Sequence, residues 1–308
     1  MRRPDTGAPE GAGRRPSGPT RREVVEGLIR ELAAAGLESP RTEAERLVAS
    51  TLGIERSGIA TAGALPVSPA DAVAIARAVQ RRLSGEPIQH IEGSAEFREL
   101  VLVSDRRALV PRPETEQLVD LVAGLLEGAA VESALEIGVG SGAIALSLLR
   151  EGLARRVVGL DISAAALEQA RENAARAGVG DALELRLCPP SIWPAVEGEP
   201  PFDLVVSNPP YVATNEIGSL APEVRDHEPR EALDGGADGL EVIRAVVSGA
   251  AGALRAGGRL VLEIGAQQGE RVEALMDADD RWDRVRIDAD LARRTRFASA
   301  RRVGPWPA

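Results

Sequence analysis

The chain has 308 residues, 44% of them apolar and 2% aromatic, and a net charge of −10. Its length allows one large domain and a smaller one, with cores built mainly from Leu, Val, Ile and Ala. The negative charge disfavours a protein that binds through broad contact with phosphates, so we expect no stable binding of nucleic acid. The lone cysteine, Cys188, excludes an intrachain disulfide, and no apolar run approaches the ~18 residues of a membrane span. These features predict a cytoplasmic protein without a membrane partner.

The first part of the chain is predicted to be a tail followed by a small helical domain. Residues 1–19 are rich in Pro, Gly and Arg and lack the apolar centre of a signal peptide, which predicts disorder. In residues 20–84 apolar side chains recur at helical spacing in three stretches. Thr20 and Glu23 have the spacing of a capping box, and Ser68 precedes a proline in the way an N-cap does.

The rest of the chain predicts an α/β fold. Residues 85–110 contain two apolar runs, "AEFRELVLVS" and "RALVP", which predict short strands and a hairpin that links two domains. In residues 111–308 apolar strands alternate with amphipathic helices, a pattern typical of a mostly parallel sheet covered by helices on both faces. The last two strands, within "DRVRIDADLARRTRFASARR", are expected to pair antiparallel at the sheet edge.

A glycine-rich turn follows the first parallel strand, in "EIGVGSGAIAL". A ligand can approach the backbone there, because glycine has no Cβ and the next helix begins with unpaired N–H groups. Asp161 and Ile162 end the second strand, where an acidic side chain can accept hydrogen bonds from ribose hydroxyls. The pattern is shared by nicotinamide enzymes and by methyltransferases that bind S-adenosylmethionine, so this region leaves both open.

The segment "SNPPYV" follows the fourth parallel strand, at the same edge of the sheet. Pro209 and Pro210 have no N–H and cannot continue a ladder, so we expect a stiff turn with free carbonyls. The Asn208 side chain adds another acceptor, and two adjacent acceptors suit an –NH2 group. They can hold an amide with its nitrogen lone pair directed at a methyl group, without a metal, while Tyr211 offers a face for a planar group. A dehydrogenase has no use for this segment.

With these motifs, the chain resembles the PrmC/HemK family of protein-(glutamine-N5) methyltransferases over roughly residues 20–305. The supporting segments are "EPIQHIEGSAEFREL", "LVPRPETEQLVD", "EIGVGSGAIAL", "GLDIS", "SNPPYV", "RDHEPREALDGGADGLEVIR" and "DLARRTRFASARR". Of these, "PRPETE" is the most discriminating, because related enzymes that act on a ribosomal protein have a different sequence there. The resemblance implies a class I methyltransferase fold, Rossmann-like, with a seven-stranded sheet and an N-terminal helical domain.

The resemblance also implies an activity: transfer of a methyl group from S-adenosylmethionine to the glutamine of the Gly-Gly-Gln motif in class-1 peptide chain release factors, with the helical domain gripping that protein. We expect a monomer. Asp161, followed by Ile162, would accept the ribose hydroxyls, and Asn208 to Tyr211 would receive the glutamine, with Asn208 also near the cofactor. The cofactor's methionine end would lie on the backbone of Gly138, Val139, Gly140, Ser141 and Gly142.

One departure concerns the adenine site. The family usually has an acidic residue before an aromatic one at the end of the third strand, and here Ile192 or Ser191 takes that place in "LCPPSIWPAV". Trp193 is expected to stack on adenine, although a core position is the alternative. The loss of a carboxylate–amine hydrogen bond is expected to cost ~1–3 kcal/mol of cofactor affinity. His90, which replaces an aromatic residue, is expected to be a hinge residue without a catalytic role.

Three alternatives to release-factor methylation stay open. The –NH2 acceptor also suits adenine in DNA or RNA, flipped out of its stack, although the net charge argues against it. The glutamine of a ribosomal protein is a second alternative. The missing carboxylate near Ile192 also allows a methyltransferase fold that only binds a protein partner.

Overall fold

The computed structural model describes residues 18–189 and 191–304. Residues 1–17 of the predicted tail lie outside the described residues. The chain divides between Ser84 and Gly85 into two compact units. Within the two described ranges, no helix combines the length and the apolar character needed to cross a membrane.

The first unit is helical. Its helices are α1 (Arg21–Ala34), α2 (Pro40–Leu52), α3 (Arg56–Thr61) and α4 (Pro69–Leu83). The capping box is confirmed, because the Glu23 N–H donates to Thr20 Oγ1 and the Thr20 N–H donates to Glu23 Oε2, at 3.3 and 2.8 Å. The Ser68 hydroxyl accepts from the Asp71 N–H, as expected of an N-cap. Helix α1 packs against α2, and α2 against α4.

The second unit combines helices with two sheets. Its helices are α5 (Ile88–Glu92), α6 (Pro113–Leu125), α7 (Ala143–Arg150), α8 (Ala164–Ala177), α9 (Pro222–Arg225), α10 (Glu241–Ala253) and α11 (Gly269–Asp277). Its strands are β1 (Ser94–Phe97), β2 (Leu100–Val103), β3 (Val131–Ile137), β4 (Ala154–Asp161), β5 (Leu183–Leu187), β6 (Phe202–Ser207), β7 (Leu254–Glu263), β8 (Trp282–Ala289) and β9 (Thr295–Arg302).

Seven strands form the main sheet in the order β5-β4-β3-β6-β7-β9-β8. The pairs from β5 to β7 are parallel, whereas β9 pairs antiparallel with both β7 and β8. The predicted class I methyltransferase sheet and its antiparallel edge pair are therefore confirmed. The strand order reverses between β3 and β6, and ligands of open α/β sheets bind at the carboxyl ends of strands beside such a reversal.

The core lies on both faces of this sheet. Along β6, Val205 packs on the face covered by α10 and α11, while Leu204 and Val206 pack on the face covered by α6, α7 and α8. Successive side chains of a strand point to opposite faces, so a strand buried on both faces reads as a continuous apolar run. This explains why the runs could be recognised in the sequence.

The predicted hairpin differs from the observed one. Both of its strands, β1 and β2, fall in "SAEFRELVLVS", and Arg98 lies in the turn between them with φ of +52°. The expectation that "RALVP", residues 107–111, forms a strand is wrong. The Asp105 carboxylate accepts from the Arg107 N–H and bends the chain, and Pro111 has no N–H to give a ladder.

Candidate active site

A cavity of about 760 Å³ lies at the carboxyl ends of β3, β4 and β6. The last residues of these strands, Ile137, Asp161 and Ser207, all line it. Its volume falls in the range of about 300–1,000 Å³ typical of cofactor sites. The cavity lies where the sheet topology places ligands.

The glycine turn forms one wall of this cavity. Gly138, Val139, Gly140 and Ser141 line it, whereas Gly142 is the N-cap of α7. The three glycines have φ values of +73°, +53° and +86°, a region that other residues rarely adopt. A Cβ added at Gly138 would lie 4.0 Å from the Asn208 carbonyl oxygen, so the turn approaches the NPPY segment closely.

The carboxylate of Asp161 is held by backbone N–H groups. Oδ2 accepts from the Gly140 N–H at 2.8 Å, and Oδ1 accepts from the Ser163 N–H at 2.9 Å. Burial raises the pKa of Asp161, and these N–H donors lower it. Asp161 and Ile162 both line the cavity, and Ile162 is half-exposed there. Each carboxylate oxygen retains a lone pair for a ligand hydroxyl.

Glu136 is a cavity residue that sequence reasoning missed. It lies on β3 two positions before Gly138, and its Oε2 accepts from the Ala145 N–H in the first turn of α7 at 2.8 Å. Burial raises the pKa of Glu136 well above its ordinary value. An acidic residue inside an otherwise apolar buried strand, "ALEIG", was the available signal, because such a residue needs a partner.

The NPPY segment contributes three of its four residues to the cavity wall: Asn208, Pro209 and Pro210. Within the described residues, no backbone N–H donates to the carbonyl oxygen of Pro209. Among these residues the Pro209 carbonyl therefore has no backbone donor, and together with the Asn208 amide it stays a predicted acceptor. They lie directly after the end of β6.

Tyr211 does not line the cavity. Its hydroxyl donates to Glu263 Oε1 at 3.3 Å, and the guanidinium of Arg296 lies 6.0 Å from its ring centroid. Burial raises the pKa of Tyr211 to about 12. The expectation that the Tyr211 ring offers a face to a planar substrate is therefore corrected. The ring packs outside the cavity, and its hydroxyl takes part in a polar network with Glu263 and Arg296.

The segment "PRPETE" reaches the cavity through residues other than its glutamates. Arg112 and Thr115 line the cavity, and the Thr115 Oγ1 accepts from Asn208 Nδ2 at 3.1 Å. Glu116 instead accepts from the Arg98 N–H in the β1–β2 turn, at 3.1 Å. The two motifs found in the sequence, "PRPETE" and "NPPY", are thus joined by a direct hydrogen bond.

The same segment also forms an ion pair in which the carboxylate is buried and the arginine is partly exposed. Arg112 Nη2 donates to both carboxylate oxygens of Glu228, each at 2.8 Å, and the Glu228 side chain is 1% exposed. Burial raises the pKa of Glu228 to about 7, although Arg112 lowers it. The pair joins "PRPETE" to the segment "DHEPREAL", which also lines the cavity.

Trp193 lies outside the cavity wall, contrary to expectation. Its Nε1 donates to the Ala245 carbonyl of α10 at 2.9 Å, and its indole packs where a Cβ on Gly249 would otherwise lie. Ile192 and Cys188 line the cavity in this region instead. Burial also raises the pKa of the Cys188 thiol. The structure therefore gives no support to stacking of Trp193 on adenine. The described cavity wall in this region is apolar and has no aromatic ring.

His90 is buried in α5, and desolvation lowers its pKa. It does not line the cavity. Its position agrees with a packing role for this residue and gives no support to a catalytic one.

The cavity fits S-adenosylmethionine in three respects. The glycine backbone provides a cradle that a Cβ would narrow, the carboxylate of Asp161 can accept from ribose hydroxyls, and the apolar wall around Ile162, Cys188 and Ile192 suits a planar base. Ile192 has no carboxylate that could bind the adenine amino group, as the sequence indicated.

Two family models match the chain. The model described as the PrmC N-terminal domain matches residues 23–93, and the one described as a methyltransferase domain matches residues 134–227. The first covers helices α1 to α5, and the second runs from β3 through the NPPY segment.

Curated relatives match almost the whole chain. A release factor glutamine methyltransferase of Cereibacter sphaeroides is 41% identical over 91% of this chain and 97% of its own length. Proteins of the same name from Bradyrhizobium diazoefficiens and Deinococcus radiodurans are 40% and 38% identical, over 94% and 92% of this chain and 99% of each relative. The chain therefore belongs to the release factor glutamine methyltransferase family, methyltransferases of the class I fold that depend on S-adenosylmethionine.

Proposed function

We propose that this chain transfers a methyl group from S-adenosylmethionine to the side-chain amide nitrogen of the glutamine in the Gly-Gly-Gln motif of class-1 peptide chain release factors, by direct in-line transfer. The observation that carries the proposal is that Asn208 and Pro209 line the same cavity as the glycine turn. The names of the curated relatives support the choice of substrate.

The cofactor would be held by residues on two sides of the cavity. The backbone of the turn from Gly138 to Gly142 would carry the methionine end, and Asp161 would accept from the ribose hydroxyls. Ile162 and Ile192 would contact the adenine ring through apolar surface. When bound, S-adenosylmethionine supplies an electrophilic methyl group on a positively charged sulfur.

The chain's own residues would orient the nucleophile. An amide nitrogen is a weak nucleophile because its lone pair is delocalised. Asn208 Oδ1 and the Pro209 carbonyl would each accept one of its hydrogens, which directs the lone pair at the methyl group and stabilises the positive charge that develops on nitrogen. With the methyl group supplied by the bound cofactor, the nitrogen would gain the methyl carbon while the carbon–sulfur bond breaks, and the extra proton on nitrogen would leave to water. A strong base is therefore unnecessary.

The test is transfer of a labelled methyl group to a purified release factor. We expect label on the native protein and none when the glutamine of its Gly-Gly-Gln motif is changed to alanine. Asn208→Ala should lower kcat by about 100-fold or more, as removal of one transition-state hydrogen bond does in other enzymes, while the cofactor Kd changes little.

Two results would contradict the proposal. Native release factor that stays unlabelled would remove the assigned substrate. Transfer to nucleic acid, or to a ribosomal protein, in the same assay without transfer to release factor would promote those alternatives. Calorimetric titration with S-adenosylmethionine separates an enzyme from a protein that only binds a partner, because the latter would show no binding even at millimolar cofactor.

We also propose that the helical region of residues 20–84 recognises the release factor away from its glutamine, as the family resemblance implies. Leu65 and Val73 are large apolar side chains in this unit that are 50% and 54% exposed. Replacing either by Asp should raise KM for the whole release factor while leaving methylation of a short Gly-Gly-Gln peptide unchanged. An equal effect on both substrates would contradict this role. A monomer without stable nucleic-acid binding stays our prediction, and sedimentation with and without RNA checks it.

A further inference from the structure

A buried chain of hydrogen bonds runs behind the amide of Asn208. Asn208 Nδ2 donates to Thr115 Oγ1 at 3.1 Å, and the Thr115 hydroxyl donates to Glu263 Oε2 at 2.7 Å. The Tyr211 hydroxyl donates to the other oxygen of the same carboxylate at 3.3 Å. Thr115 is 4% exposed and Glu263 1%, so the centre of the network is shielded from water.

The donors and acceptors of this network have a fixed direction. An ionised carboxylate only accepts, and a hydroxyl has a single proton to give. Because Thr115 gives its proton to Glu263, its oxygen has only lone pairs to offer to Asn208. The group of Asn208 that faces Thr115 must then be the –NH2, and Oδ1 lies on the opposite side of the amide.

Groups around Glu263 act on its ionisation in opposite directions. Burial has the largest effect and raises the pKa of Glu263 above its ordinary value, whereas the hydrogen bonds from Thr115 and Tyr211 and the nearby guanidinium of Arg296 act against that rise. Arg296 Nη1 lies 3.4 Å from the Tyr211 hydroxyl oxygen. A carboxylate that receives two hydroxyl donors and faces a cation is stabilised as the anion.

We propose that Glu263 is a positioning residue that acts through Thr115 to fix the rotation of the Asn208 amide, so that Oδ1 and not the –NH2 group is offered to the substrate. The inference rests on the proposed function, because it assigns the substrate amide as the partner of Oδ1. A reversed Asn208 amide would place its own –NH2 against the –NH2 of glutamine, and two donors repel one another.

Three substitutions test whether Thr115 and Glu263 set the orientation of the Asn208 amide or only fill space beside it. Glu263→Gln keeps the shape but adds a donor, so its –NH2 can donate to Thr115 and the Thr115 proton turns towards Asn208. Thr115→Val removes the hydroxyl at nearly constant volume, and Thr115→Ser keeps it. We expect Glu263→Gln and Thr115→Val to lower kcat by about 10- to 100-fold, with Thr115→Ser within about threefold of wild type. The double variant Glu263→Gln/Thr115→Val should be no slower than the slower single variant, because both changes break one relay.

A second readout does not depend on activity. The asparagines of this chain are Asn173, Asn208 and Asn215, so selective ¹⁵N-asparagine labelling gives a simple spectrum of side-chain –NH2 pairs. The pair that disappears in Asn208→Asp identifies Asn208. We expect this pair to shift in both Glu263→Gln and Thr115→Val and to stay near its wild-type position in Thr115→Ser.

Ser147→Ala is the matched control, because it removes another buried hydroxyl, which donates to the Ala143 carbonyl at 2.8 Å. It should lower thermal stability without changing kcat or the Asn208 signal. The proposal is overturned if Glu263→Gln and Thr115→Val leave the Asn208 signal unchanged, or if Thr115→Ser moves it as far as Thr115→Val does. Failure of the wild type to methylate release factor would count against the proposed function, and the Asn208 signal would still decide the relay.

Discussion

The Asp161 carboxylate accepts a hydrogen bond of 2.8 Å from the backbone N–H of Gly140, so the acidic residue that ends β4 also holds the glycine turn that follows β3. A second N–H, from Ser163, binds the other carboxylate oxygen. The carboxylate therefore has two tasks: it fixes the turn in the shape that lines the cavity, and it keeps lone pairs available for a ligand.

Asp161→Asn should weaken cofactor binding more than it weakens the fold. The asparagine side chain has one oxygen where aspartate has two, so either one of the two N–H donors or the ligand loses its acceptor. The new –NH2 group then faces one of these donors. We expect the Kd for S-adenosylmethionine to rise by about 10- to 100-fold, which corresponds to the ~1–3 kcal/mol of a lost charge-assisted hydrogen bond. Calorimetric titration measures this. An unchanged Kd would show that Asp161 stabilises the glycine turn but does not bind the cofactor.

Gly140→Ala tests the glycine turn itself. Gly140 has φ of +53°, and its added Cβ would face the cavity residue Ala108 at 3.9 Å, so the cost to the fold comes from the backbone and not from a clash. A left-handed alanine costs about 1–2 kcal/mol. The matched control is Gly178→Ala, with φ of +70° and open space at the end of α8. Both should lower the free energy of unfolding by similar amounts, and only Gly140→Ala should raise the cofactor Kd. A similar rise in both variants would contradict a specific role for the turn.

Trp193 and Gly249 should behave as a structural pair. A Cβ on Gly249 would lie 2.0 Å from Trp193 Nε1, so Gly249→Ala displaces the indole and should destabilise the protein by about 1–3 kcal/mol. In a Trp193→Ala background the same change should stabilise it by up to about 1 kcal/mol, because alanine favours the helix. Urea unfolding of the four proteins measures this reversal of sign.

Cofactor affinity provides the complementary measurement for Trp193. Because the indole lies against α10 and outside the cavity wall, Trp193→Phe should leave the Kd for S-adenosylmethionine within about twofold of wild type, well below the effect of one lost hydrogen bond. A tenfold loss of affinity, without a loss of stability, would restore the stacking role that the sequence suggested.

The sheet and the cavity residues that follow its strands could be predicted from the sequence, because they depend on local patterns. Buried strands appear as apolar runs, and the residues at their carboxyl ends, such as Asp161 and Asn208, converge once the sheet is parallel. The sequence does not distinguish the short run "RALVP" from a strand, because a turn held by the Asp105 side chain and a strand both tolerate a few apolar residues.

The contacts between segments that are distant in sequence could not be predicted from the sequence. Thr115 and Glu263 are 148 residues apart in sequence, and nothing local indicates that one side chain meets the other. The orientation of Trp193 depends in the same way on a glycine of α10 that leaves room for an indole. In "PRPETE" the threonine between the two glutamates makes the contact with Asn208, and its local sequence does not indicate this partner.

Glu228 should make stability depend on pH in the direction opposite to that of an ordinary salt-bridged carboxylate. Its pKa is raised to about 7 by burial, so between the unfolded value near 4.5 and 7 the folded protein holds a proton that the unfolded chain releases. The contribution of Glu228 to stability is therefore fully present below pH 4.5 and is lost as pH rises through 7. The shift from 4.5 to about 7 corresponds to at most about 3.5 kcal/mol, because one pKa unit is worth about 1.4 kcal/mol.

The comparison of wild type with Glu228→Gln isolates this effect. Glutamine keeps the shape and an acceptor for Arg112 but does not titrate, and the other buried carboxylates contribute equally to both proteins. Urea unfolding at pH 5, 6, 7 and 8 should show the wild type losing free energy of unfolding relative to the variant as pH rises. A difference that stays constant, or that shifts in favour of the wild type at high pH, would mean that Arg112 keeps Glu228 ionised throughout this range and that the ion pair stabilises the cavity wall as a true charge pair.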